Sequence, residues 1–137
     1  MNQFFKTLVS CLLMAITSSA FSSPGNEMIV RISEIEIKVE YLKEYKAILK
    51  EEAEASVRVE QGVISTFPMF QKESPTQVRI LEIYSSKGAY ESHLKTPHFI
   101  KYKTTTMKMV KSLKLVDMQI DDAETMKKIF EKMANEK

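Results

Sequence analysis

The chain has 137 residues, a formal net charge of +2, 44% hydrophobic residues, three glycines, one cysteine and no tryptophan. That length suits one modest domain, and the near-balanced charge, with no long block of one sign, excludes a nucleic-acid track. Three scattered glycines exclude a phosphate-cradling loop, and the single Cys11 excludes an internal disulfide.

Met1–Ala20 has the three-part plan of a secretory signal peptide: Lys6 as its only charge, the apolar run Leu8–Ile16, then Thr17-Ser18-Ser19-Ala20. The apolar run falls short of the ~20 residues a membrane span needs. Cleavage is expected after Ala20, with Ser22 as the alternative. Leu8-Val9-Ser10-Cys11 also reads as a lipoprotein box, but only ten residues would precede the cysteine, so lipidation is the lesser reading. Removing the segment leaves a formal charge of +1 and no cysteine, and points to a periplasmic or secreted protein. Residues 21–27 read as a mobile leader.

Met28–Lys38 reads as a strand in which Val30 and Ile32 alternate in one phase, Ile35 and Ile37 in the other. That switch predicts a bulge or bend at Ser33-Glu34. Val39–Val57 has Leu42, Tyr45, Ile48, Leu49 and Ala53 at helical spacing. Val63–Lys72 is a second strand, demoted to an edge or a bulge by Pro68, which has no N–H for a ladder. Gln77–Tyr84 is the third strand. A short helix over Lys87–Leu94 is broken at Thr96-Pro97, where proline ends one helix and can open the next with Thr96 as N-cap. Pro97–Lys111 is then a helix and Leu113–Ile120 the fourth strand. In Asp121–Lys137, Asp121 with Glu124 suggests a capping box, and Ala123, Met126, Ile129, Phe130 and Met133 form an apolar stripe, expected to pack on its own domain or on a second copy.

The order β-α-β-β-α-β predicts a ferredoxin-like α+β fold with an antiparallel sheet. Leu113 and Leu115 on one face of the last strand, and Val116 and Met118 on the other, imply that both faces are covered. One face has the chain's own helices. A second copy is the economical cover for the other, which predicts a homodimer.

Both histidines lie in Leu81–Tyr102, LEIYSSKGAYESHLKTPHFIKY. His93 and His98, five apart across a proline, match no common metal-ligand spacing, though Glu82 or Glu91 could complete a site in three dimensions; no metal is expected. No nucleophile elbow or dinucleotide fingerprint is visible, so no cofactor is expected. His98 is the leading candidate for a base or proton shuttle, because imidazole titrates near neutral pH, with Tyr102 one turn later as a hydrogen-bond donor. His93 is the second imidazole. Glu82, between apolar neighbours in a strand, is a candidate buried carboxylate or else pairs with Arg31, Arg79 or a lysine. Phe67, Phe70, Tyr84 and Phe99 are candidate substrate-binding residues, and each can equally be core.

The same segment resembles the signature of the antibiotic biosynthesis monooxygenase family, and is similar to its quinol monooxygenase members. The likeness runs from about Met28 to Ile120, through EIEIK at 34–38, the run Glu51–Val63 and MVKSLKLVD at 109–117. This resemblance implies a dimeric α+β barrel and a cofactor-independent monooxygenase, using dioxygen on a small aromatic, quinol-like substrate. Two other readings stand beside it: a non-catalytic small-molecule-binding or stress protein, and an isomerase or degrading enzyme for a small signalling carbonyl. Heme-degrading relatives of this fold use a tryptophan that is missing here.

Overall fold

A computed structural model describes residues 27–136. The signal peptide expected at Met1–Ala20, its alternative at Cys11, and all but the last residue of the leader lie outside the described residues. No helix among the described residues is long and apolar enough to cross a membrane.

The elements run β1 (Ile29–Ile37), a turn of 3-10 helix (Val39–Tyr41), α1 (Leu42–Val59), β2 (Val63–Phe70), β3 (Gln77–Tyr84), α2 (Lys87–His93), α3 (Pro97–Thr106), β4 (Val110–Met118) and α4 (Ala123–Asn135). The strands form one antiparallel sheet in the order β2-β3-β1-β4. This is the ferredoxin-like α+β fold. Pro68 lies in the edge strand β2, where its missing donor costs no interior ladder bond.

Register sorts the side chains onto two faces. Arg31, Ser33, Ile35 and Ile37 share the helix-covered face with Val78, Ile80, Glu82 and Tyr84. Against them α1 lays Tyr45 and Leu49, and with Met109 these residues make the buried core. Val30, Ile32, Leu81, Phe67, Met69, Val116 and Met118 belong to the opposite face. Phe67, Met69 and Met118 are exposed there.

Four expectations need correction. No bulge occurs at Ser33-Glu34: the β1–β3 register is unbroken from Ile29 to Glu36, and the irregularity against β4 falls at Glu36/Ile37. The apparent phase switch arises because the inner-face positions before Ile35 are the polar Arg31 and Ser33, and Ser33 donates to the half-buried Glu82 carboxylate. Helix α3 stops at Thr106, since Val110 already pairs with Ile37 as strand. Asp122, not Asp121, caps α4, accepting the amides of Glu124 and Thr125. The α4 stripe does not bury itself against its own domain: Ile129, Phe130 and Met133 are exposed.

Candidate active site

Between the inner sheet face and helices α2 and α3 lies a cavity of about 480 Å3, within the range of small-ligand pockets. Tyr84, Tyr90, Phe99, Leu113 and Leu115 supply much of its apolar wall. Its polar groups include Arg31, Ser33, Glu52, Glu82, His93, Tyr102 and Lys103, from both layers of the fold.

The local sequence explains how the imidazoles are placed. The Ser86 hydroxyl caps α2 by accepting the Ala89 amide at 3.1 Å. At the break between α2 and α3, Thr96 holds both sides. Its hydroxyl donates to the His93 carbonyl at 2.8 Å and accepts the Phe99 amide at 3.3 Å. Pro97 opens α3 without a lost hydrogen bond. Glu60 is the C-cap of α1, its amide bonded to the Ser56 carbonyl. Three helix ends therefore meet.

At that meeting His93 Nδ1 lies 2.9 Å, and His98 Nε2 2.5 Å, from the same oxygen, Glu60 Oε1. The other edge of the His93 ring faces α1, with Nε2 3.7 Å from Glu52 Oε1. Glu52 accepts the Ser56 hydroxyl at 2.7 Å. Burial holds the Glu52 carboxyl above the usual carboxylate range, against the lowering effects of Ser56 and the two histidines. Phe99 and Tyr84 flank the His93 ring, with centroids 4.7 and 5.4 Å away.

Across the cavity, Glu82 accepts the Ser33 hydroxyl at 2.5 Å and the Tyr84 hydroxyl at 2.8 Å. It forms no salt bridge with either arginine: Arg31 donates to Asp117 at 2.7 Å, and Arg79 lies 3.8 Å from Glu34. Tyr102 shares a 2.7 Å hydrogen bond with Tyr45. Burial raises all three phenols, Tyr102 to about 12 and Tyr45 and Tyr84 further. At neutral pH these tyrosines are hydrogen-bond donors, so a base must come from imidazole or carboxylate.

Among the sequence candidates, His93, Glu82, Tyr84, Phe99 and Tyr102 converge on the cavity. His98 does not line it; the ring sits behind His93, turned toward Glu60. Phe67 lies on the opposite face of the sheet, and Phe70 packs at the edge of the core with the Lys46 ammonium 4.6 Å from its ring centroid. Neither reaches the cavity. Sequence reasoning missed Glu52 and Glu60. Glu52 carried a signal: with Tyr45, Leu49, Ala53 and Ser56 it falls on the buried stripe of α1, where a carboxylate is out of place. Glu60 carried none beyond standing just before Gln61-Gly62.

Glu60, His93 and His98 are also the cluster whose donor atoms lie within 4.8 Å of one another, as a metal site would require. Their present separations are those of hydrogen bonds. A tetrahedral ion with bonds of ~2.0–2.2 Å holds its donors further apart, at over 3 Å.

The model of the antibiotic biosynthesis monooxygenase family matches residues 28–105. A solved structure from Bacteroides thetaiotaomicron, provisionally named an antibiotic biosynthesis monooxygenase, is similar at 48% identity and a TM-score of 0.69, covering 70% of this chain and 91% of that one. Another with the same provisional name, from Nitrosomonas europaea, shares the fold at 20% identity and a TM-score of 0.66, covering 74% and 97%. Comparison with curated proteins finds no match. The family match spans more than half of the chain and contains Glu52, Glu60, Glu82, His93 and His98, so the chain belongs to the antibiotic biosynthesis monooxygenase family.

Proposed function

We propose that the protein is a cofactor-independent monooxygenase for a small, quinol-like aromatic. The observation that carries this reading is the buried His93 in the wall of an aromatic-lined cavity, with carboxylates on either side. An electron-rich ring fits between Tyr84, Tyr90 and Phe99, and its hydroxyl can reach Nε2 of His93. His93, rather than His98, then takes the phenolic proton. Tyr102, when it accepts the hydrogen bond it shares with Tyr45, keeps its own O–H as a donor to the developing oxyanion. The anion reduces dioxygen, the two join as a hydroperoxide, and water is lost. For a simple hydroquinone the sum is quinol plus dioxygen to hydroxyquinone plus water, with no external electron donor.

We also propose that two copies join through the sheet face that carries Phe67, Met69, Leu81 and Val116, completing a dimeric barrel, and that Met1–Ala20 directs export to the periplasm or medium. Both follow from the sequence reading; the exposed apolar residues on that face support the first.

Oxygen uptake with a panel of hydroquinones in chelator-treated buffer tests the reaction. The reading expects one oxygen molecule consumed per quinol, with the rate lost in His93→Ala. Turnover without oxygen uptake would favour an isomerase, and binding without turnover a binding protein.

A further inference from the structure

The proton taken up by His93 sits on a ring that is almost wholly buried, and a proton is needed there again when the hydroperoxide loses water. We propose that Glu60 and His98 form a proton relay from the cavity-facing His93 to bulk water. The side chains become more exposed in that order, 4% for His93, 12% for Glu60 and 19% for His98. Each step is a direct contact, 2.9 Å and then 2.5 Å, through one carboxylate oxygen. Backbone anchors fix all three positions. Glu60 caps α1 and its carbonyl accepts the Val63 amide; the His93 carbonyl is held by Thr96; His98 follows Pro97 in the first turn of α3.

Among the described residues, no other group beside His93 offers the same exit. Glu52, at 3.7 Å, is itself buried and bonded to Ser56. The phenol of Tyr84 is committed to Glu82, and Phe99 is apolar. The charged and titratable groups facing His93 are thus Glu52 and Glu60 from α1, Tyr84 from β3 and His98 from α3.

The proton balance is simple. A substrate proton on Nε2 makes His93 an imidazolium, which gives its Nδ1 proton to Glu60. Glu60 passes a proton to Nε2 of His98, and the protonated His98 releases one to water. One proton leaves at the surface as the substrate ionises, and one returns by the reverse path, through His98 and Glu60 to His93 and so to the hydroperoxide as it loses water. The cycle then releases no net proton, and both imidazoles regain their starting charge and tautomer. His93 is the catalytic residue; Glu60 and His98 act only through it.

The use of this relay in turnover rests on the oxygenase reading, but its existence can be tested without substrate. Nitrogen-15 imidazole NMR on the full chain can measure how fast the His93 Nδ1 proton exchanges with water. Glutamine at position 98 keeps an amide near the place of Nε2, so His98→Gln can hold Glu60 yet cannot pass a proton. The relay predicts that His98→Gln and Glu60→Gln slow this exchange by roughly tenfold or more, the low end of what a positioned acid–base group contributes, with the melting temperature of His98→Gln unchanged. In turnover at low buffer concentration, the rate of His98→Gln should fall and free imidazole should restore it, with KM unmoved. Exchange as fast in His98→Gln as in the native chain overturns the relay, as does a stoichiometric metal ion retained after purification and lost in Glu60→Gln. A protein that oxidises no quinol but shows slowed exchange keeps the relay and loses the oxygenase; turnover with unchanged exchange does the reverse.

Discussion

Gly62 offers the sharpest test of how the site is held. A Cβ built on it would lie 2.5 Å from the Cβ of Ala89, 3.2 Å from Ser85 Oγ and 3.4 Å from the Ala89 Cα. Carbon atoms rest at ~3.5–4.0 Å, and both Cβ atoms are fixed to backbone. Gly62→Ala must therefore separate the start of β2 from α2 by about 1 Å, against a Ser85 amide to Gly62 carbonyl bond of 2.9 Å that ties them. Overpacking of this kind costs ~1–3 kcal/mol, or a fall in melting temperature of roughly 4–8 °C per kcal/mol for a domain near this size. The same displacement would stretch the 2.9 Å bond between His93, at the end of α2, and Glu60 beyond hydrogen-bond range. Ala89→Gly removes the colliding atom, at a helix-propensity cost of ~1 kcal/mol on its own. Urea denaturation of both single variants and the double should give a double variant about 1–2 kcal/mol more stable than additivity allows. Strictly additive losses, or a Gly62→Ala change under ~0.5 kcal/mol, would refute the contact.

Other consequences are equally direct. Because burial raises the Glu52 carboxyl, the folded state keeps that proton to higher pH than the unfolded chain. Its stabilising contribution is complete below the unfolded value of ~4.3 and is lost as pH rises through the folded one. Glu52→Gln should therefore gain stability relative to the native chain between pH 4 and pH 8, and a flat difference in chemical denaturation would contradict this. The Thr66 hydroxyl is buried without a partner, so Thr66→Val should be neutral or stabilising by up to about 1 kcal/mol in the same assay; a loss of that size would reveal a hidden bond. If the open sheet face is the dimer seam, Phe67→Asp should give a folded monomer by sedimentation at micromolar concentration, and an unchanged dimer would place the seam elsewhere.

The fold was legible because its elements are separated by strong local signals. Pro68 marks an edge strand, Thr96-Pro97 a helix break, and the helical spacing of Leu42, Tyr45, Ile48, Leu49 and Ala53 the first long helix. Two of the misread positions share a cause: pattern alone assumes that inward means apolar. Ser33 and Glu52 point inward to serve polar needs, so one looked like a bulge and the other vanished into the charged run of α1. The site was half legible. His93 and His98 stand out by rarity, but which one faces the cavity depends on how three helix ends are turned, and Glu60 joins them from more than thirty residues away. Phe67 and Phe70 were attractive as aromatics, yet side-chain alternation sends one to the open face and the other to the rim of the core.

The central claim is that the reacting ring sits in the cavity beside His93. A crystal structure with a slowly oxidised hydroquinone, grown without oxygen, tests it most directly. The account predicts density between Tyr84, Tyr90 and Phe99, with one hydroxyl within hydrogen-bond reach of His93 Nε2. A ring bound instead in the groove between α1 and β2, or on the open face of the sheet, with the cavity occupied only by water, would contradict it.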